Sequence, residues 1–259
     1  MSSSSFTISR DQIITSALRK LGVLELGDTP DAATIQNAST ALNLVIKQMA
    51  TEGLKLWKIE ELVIPMVAGQ YTYVLGGPSS VPMYDSFDTG FTTPITDKPL
   101  KVIQGWYRNN LSTPPVDTPL QLLSKQEYNI LGFKQSQGVA NSIFYDIKQT
   151  NGILYVYLDP NSFVQTNYNI HIVAQMPMQD LLRAQDTPDF PNEWMNTLVW
   201  SLADDLAIEY SVPGNHRAEI AQRAAAYREQ LTSWDVESTS TFFQPDFRMY
   251  TPAGSRNTI

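Results

Sequence analysis

Apolar residues recur every three or four positions at both ends of this 259-residue chain, and every second position through its middle. A period near 3.6 belongs to helices and a period of 2 to strands, so ends and middle build different elements. No other feature limits the fold as strongly.

Ile13, Ile14, Ala17, Leu18 and Leu21 form the first stripe. Ser9 stands before it as N-cap with Gln12 as capping-box partner, and Gly22 is placed to close the helix in a left-handed turn. A second stripe of Ile35, Ala38, Leu42, Val45, Ile46 and Met49 runs to Gly53. Thr29-Pro30 puts proline at its first helical position, where the missing N–H costs nothing. Two such helices are half of a bundle, because their apolar faces need more cover than they give each other. The missing half lies beyond Pro188 and Pro191. Trp194, Leu198, Val199, Leu202, Ala203, Leu206 and Tyr210 form a broad face ending at Pro213-Gly214. Ile220, Ala224, Tyr227, Leu231 and Trp234 mark a last helix over about 215–236.

The middle predicts strands over 59–67 and 70–75 around Ala68-Gly69, and another through Val102, Ile103, Trp106 and Tyr107 that turns at Asn109-Asn110. Residues 76–99, rich in Gly, Pro, Ser, Thr and Asp, predict a surface loop. Ser124 and Glu127 form a second capping box over a short helix through Leu131. Asn151-Gly152 between two strand-like runs predicts a type I′ hairpin, and residues 169–175 complete an antiparallel set. The chain is therefore α+β, with a helical unit in two pieces (1–58 and 179–236) around a β-rich insertion (59–178).

Charge narrows the partners. Eighteen Lys and Arg against 26 Asp and Glu leave a net −8, which argues against an electrostatic grip on nucleic acid or anionic lipid. Zero cysteines exclude disulfides, thiolate zinc sites and a cysteine nucleophile. MSSSSFTISR lacks an apolar core of signal-peptide length and no apolar run reaches membrane-spanning length, so a soluble protein with no membrane partner is expected.

Chemistry-bearing patterns are sparse. His171 and His216 have no second ligand at metal spacing, and GxxxxGK, GxGxxG and GxSxG do not occur, so no metal or cofactor and no catalytic residue is assigned. Asp205 and Glu209 share a helical face, Asp204 adjoins them, and Glu193 suits the first turn of its helix. A carboxylate hydrolase acting on cell-wall glycan would need such a pair on a cleft, but a solvated face explains them more simply. Trp106, Tyr107, Tyr155 and Tyr157 lie on strands without the basic residues of a base-stacking sheet, which favours a packing role over nucleic-acid binding. A free-standing carbohydrate-binding module that uses exposed strand aromatics is the remaining alternative.

Residues 237–259 stand apart. They carry Phe242, Phe243, Phe247 and Tyr250 in an aperiodic, Pro-broken stretch that a solvated linker would not hold. Such an arm either wraps its own bundle or docks on another subunit with these four aromatics as anchors, and the second reading is the sharper.

ALRKLGVLELGDTP, ALNLVIKQMATEGLKLWKIEE, VIPMVAGQYTYVLG and DFPNEWMNTLVWSLADDLAIEY, in that order, resemble the head-to-tail adaptor family of short-tailed bacteriophages. These are the head-completion, packaged-DNA-stabilising or tail-tube ring proteins. The resemblance spans roughly residues 9–236 and is weaker across the β block. Its most specific pieces are Glu52-Gly53-Leu54, Leu56-Trp57 and Ala68-Gly69-Gln70 with Tyr73. It implies an antiparallel helical bundle with the inserted β domain and an extended C-terminal arm that reaches the portal protein. It further implies a ring of copies, usually dodecameric, that is assembled in the host cytoplasm and placed at the head-tail junction of the virion. Double-stranded DNA would pass through it without specific binding, and tail nozzle or fibre proteins would dock below.

Overall fold

The computed structural model describes residues 6–51, 56–86 and 93–234, with the side chains of Leu56 and Trp234 left aside. Helix α1, Arg10–Leu21, begins as its sequence dictates, with the Ser9 N–H donating to the Gln12 side chain at 3.0 Å. It ends at Gly22, whose φ of 74° is the left-handed turn that glycine adopts without penalty. Helix α2, Ala32–Thr51, starts two residues later than Pro30 suggested. Asp31 is its cap, accepting from the Thr34 N–H at 2.7 Å, and the proline lies outside the helix. A carboxylate that takes a free N–H at the first turn outweighs the fixed φ of a proline. Gly53, the expected stop, falls outside the described residues.

Helices return as α5, Met195–Glu209, and α6, Gly214–Trp234. Leu198, Leu202 and Leu206 of α5 are fully buried and share one core with Ile13, Leu18, Leu42 and Ile46 from the first two helices. Among the described side chains of α6 only Ile220 and Ala224 are fully buried, while Tyr227 and Leu231 are half-exposed. Helix α5 touches α1, α2 and α6, so the helical core gathers both ends of the chain around it.

The middle forms one curled sheet. Its strands are β1 (Ile59–Pro65), β2 (Thr72–Leu75), β3 (Tyr84–Asp85), β4 (Lys101–Asn109), β5 (Val116–Leu122), β6 (Ser142–Ile147), β7 (Gly152–Tyr157) and β8 (Tyr168–Gln175). Their order is β2-β7-β6-β5-β4-β8-β1-β3. Short helices α3, Lys125–Ile130, and α4, Ser162–Asn167, interrupt them; β5 and α4 carried no clear signal. Helix α3 has the capping box read from Ser124 and Glu127, with both reciprocal bonds formed.

Three expectations about the β block need correction. The set is not wholly antiparallel, because β5 runs parallel to β6 at Gln121–Ser142 and Leu122–Ile143. The connection through α3 carries the chain back to the starting end of the strand, which a tight hairpin could not do. The segment 76–99 is not all surface: Met83 is fully buried in the sheet core and bridges Ile95. The β6–β7 hairpin turns through residues 148–151, not on Asn151-Gly152, with the Lys148 N–H donating to the Asn151 carbonyl at 2.9 Å. Gly152 already pairs with Ile147 and lacks a positive φ. It is glycine because a Cβ there would lie 2.0 Å from the Tyr145 hydroxyl.

The sheet core joins Leu62, Ile64, Ile170, Ile172 and Leu154 on one face. Gly105 sits among them, and a side chain there would meet Ile143 Cδ1 at 2.7 Å. Met176 belongs to this core and Met178 to the helical one, so the chain changes cores within two residues.

Candidate functional site

Both chain crossings between the two cores pass through one junction. Trp57 packs against Trp194 and Phe190, with ring centroids 5.0 and 5.9 Å apart. Beside them the buried Lys58 ammonium pairs with Asp189, and the Gln175 side chain donates to the Ala50 carbonyl at 3.3 Å. A buried ammonium needs such a partner, since unpaired burial of a charge is costly. Glu60 adjoins this pair. Burial, with the carboxylates of Asp85, Asp189 and Asp97, pushes its acid above the usual range, and Lys58 pulls it back. Lys47 extends the tie by donating to the Met178 carbonyl and pairing with Asp180.

The second feature is the sheet face turned away from the apolar core. Register places His171 opposite both Val63 of β1 and Trp106 of β4, and Arg108 opposite Asp117 of β5. Side chains alternate along a strand, so these residues and Glu61 share that face. His171 is 3% exposed, its Nδ1 lies 2.9 Å from Glu61 Oε1, and Trp106 stacks on it at 5.7 Å. Burial pushes the His171 pKa down against the pull of Glu61, so the ring is neutral at pH 7 and Nδ1–H donates to the carboxylate. Arg108 grips Asp117 through two bonds of 2.7 and 2.8 Å and holds that carboxyl below the usual range. Sequence reasoning missed both pairs. A histidine and an arginine within half-apolar strands were the available signal, but their partners lie on other strands.

The surfaces of the helical unit carry the remaining candidates. Asp205 and Glu209 do share a face and line an open hollow of about 380 Å³ with Asn37, Thr40, Ala41 and Leu44 of α2. Both carboxylates are exposed, and Asp204 sits beside them half-buried. Glu193 lies in the 3-10 turn Asn192–Trp194 that leads into α5. On the other side of α5, Trp200 is covered by Lys20 at 4.0 Å from the ring centroid and by Arg223 at 5.3 Å, with Tyr227 stacked alongside. His216 contacts the Lys20 carbonyl through Nε2 at 3.0 Å, closing the C-terminal end of α1 from a neighbouring helix.

The two histidines belong to different units and are not brought together. Among the described residues no cluster of three or more His, Asp or Glu is arranged for a metal. The strand aromatics are split: Tyr107 packs toward the sheet core, Trp106 lies on the opposite face, and Tyr155 stacks on Phe144 with Tyr128 tilted against it. Phe242, Phe243, Phe247 and Tyr250, the predicted anchors, lie outside the described residues, as does the whole arm 237–259. Among the described residues no helix is long and apolar enough to cross a membrane. No protein-family model matches the chain, and no curated protein matches it.

Proposed function

We propose that this chain is a structural head-to-tail adaptor of a phage virion. Copies form a ring beneath the portal that extends the DNA channel, helps retain packaged DNA and gives tail nozzle or fibre proteins a platform. The finer architecture belongs to the same reading: an antiparallel bundle split by the β insertion, with residues 237–259 as an arm whose Phe242, Phe243, Phe247 and Tyr250 anchor on the portal.

The observation that carries this reading is the helical core assembled from both ends of the chain. A core of that kind ties the β unit in by two chain crossings, and Lys58–Asp189 and Gln175–Ala50 brace the junction. A spacer under axial load from packed DNA needs such a stiff joint more than it needs a hinge. The net −8 suits a channel wall that lets phosphate slide, because like charge disfavours adhesion. The glycan-hydrolase alternative would need Asp205 and Glu209 to flank a cleft, whereas they line an open hollow.

Electron microscopy of the full chain mixed with the portal of the same virus tests the proposal. A ring seated on the portal vertex is expected, and portal rings left bare would reject it. Removing residues 237–259 should abolish binding while far-UV circular dichroism keeps its helical signal. Unchanged binding would remove the arm from the portal contact.

A further inference from the structure

Two patches on the helical unit are complementary, and they face in opposite directions. The basic patch is made by Lys20 of α1 and Arg223 of α6, both over the Trp200 ring, with Arg19 beside Lys20 in the last turn of α1. Next to it the loop after α1 raises Leu26, which is 93% exposed and lines an open hollow with Arg19 and Lys20. The acidic patch is the hollow of about 380 Å³ that contains Asp205, Glu209 and Leu44, the last 64% exposed. Asp205 and Glu209 follow Trp200 by five and nine residues. At about 100° per residue that places them roughly 140° and 180° around α5 from the tryptophan.

We infer that the basic patch of one copy seats in the acidic hollow of the next, with Leu26 entering beside Leu44. This rests on the ring reading above and names the lateral contact within it. Patches on opposite flanks cannot satisfy each other within one two-fold dimer. They repeat head to tail, and such a contact closes into a ring when the rotation allows.

Lys20 gives a physical reason for the partner. Partial burial and the like charge of Arg223 both disfavour its ammonium, and Arg223 has Glu219 at 2.8 Å while the Lys20 charge, which rests on the Trp200 ring, is offset by no carboxylate among the described residues. Carboxylates arriving from a neighbouring copy would relieve that repulsion. A leucine that projects almost wholly into water beside these cations is an apolar knob with a charged rim, and the hollow offers the matching arrangement. The match sets specificity and register more than raw affinity, so copies associate weakly when free and firmly once a portal aligns them.

The chain lacks cysteine, which makes cross-linking unambiguous. A variant carrying Arg19→Cys and Asp205→Cys, treated with a short bismaleimide at high concentration and again on portal rings, should give a ladder of covalent oligomers. Either cysteine alone should give no ladder and no dimer, and a dimer from one cysteine would overturn the head-to-tail arrangement. Charge reversal supplies the second arm. Lys20→Glu with Arg223→Glu, and separately Asp205→Lys with Glu209→Lys, should each lose assembly while keeping the parent circular dichroism. Mixing the two variants in equal amounts should restore assembly, because every contact is again between opposite charges. Absence of both the ladder and the rescue overturns the inference. Rings still visible on the portal in that case would leave the adaptor reading standing, and the absence of rings would remove both.

Discussion

The helical core and the sheet core hide apolar surface to a similar degree but recruit it over different distances. The first joins residues near 13–50 with residues near 178–220, so it cannot close until the two ends of the chain meet. The second lies wholly within residues 62–176. Cores of long sequence separation carry the larger loop-closure cost, which is slow to recover during folding. The two also differ in their back faces. Helix α5 is apolar around most of its circumference, whereas the sheet hides Ile172 on one side and the His171–Glu61 pair on the other. The helical unit sets its polar ties, such as Arg10 to the Leu182 carbonyl and Lys47 to Asp180, around the rim of its core, while the sheet buries a histidine on its second face.

The largest expected effect breaks the distant core. Leu202 is fully buried at the centre of α5, so Leu202→Ala should cost about 2–5 kcal/mol. Urea unfolding followed at the helical signal should move to lower denaturant, while hydrogen exchange of the paired β4 and β8 amides follows a later transition. Coincident transitions would show that the two cores melt as one unit. Next comes Gly152→Ala in the local core. Its Cβ displaces a Tyr145 ring whose hydroxyl donates to the Pro99 carbonyl at 2.7 Å, with a cost of about 1–3 kcal/mol. A thermal scan showing no loss would mean that the hairpin slides to accommodate the methyl group.

A third test concerns pH. His171 has a folded pKa below its unfolded value, so the unfolded chain binds the extra proton first as pH falls. Its contribution is fully present above the ordinary imidazole range, is lost as pH drops through that range, and levels off below the folded pKa. His171→Gln should therefore flatten the fall in melting temperature between pH 7.5 and 5, and an unchanged slope would place the dependence elsewhere. The smallest effect is expected from Arg108→Ala. The Arg108–Asp117 pair is about two-fifths exposed, so solvent screening limits it to about 0.5 kcal/mol despite its two-pronged geometry. A larger loss in a urea melt would show that the pair also props Trp106 over His171.

Much of this organisation was legible in residue spacing. The stripes of α1 and α5, the Ser9 and Ser124 boxes and the Gly22 stop are local signals, each decided within about four residues. The errors came where a local signal had a tertiary rival. Asn151-Gly152 looks like a turn by itself, yet Tyr145 claims the glycine from the neighbouring strand. Pro30 is the exception, overruled by a local rival, because the adjacent Asp31 takes the capping bond. Met83 sits in a stretch of loop composition but fills the sheet core. The pairing of Asp205 with Glu209 was visible as one helical face, while the α2 wall that makes their hollow was not.

The sequence by itself determined the four long helices and most of the strands, β3, β5 and the short α4 excepted, because side-chain periodicity is a property of the segment alone. Only the tertiary structure decided that β4 lies between β5 and β8, that β5 meets β6 in parallel, and that Glu61 finds His171 across 110 residues. Alternation tells a strand which side to bury and says nothing of its neighbour. That choice is made by the summed packing of every strand at once.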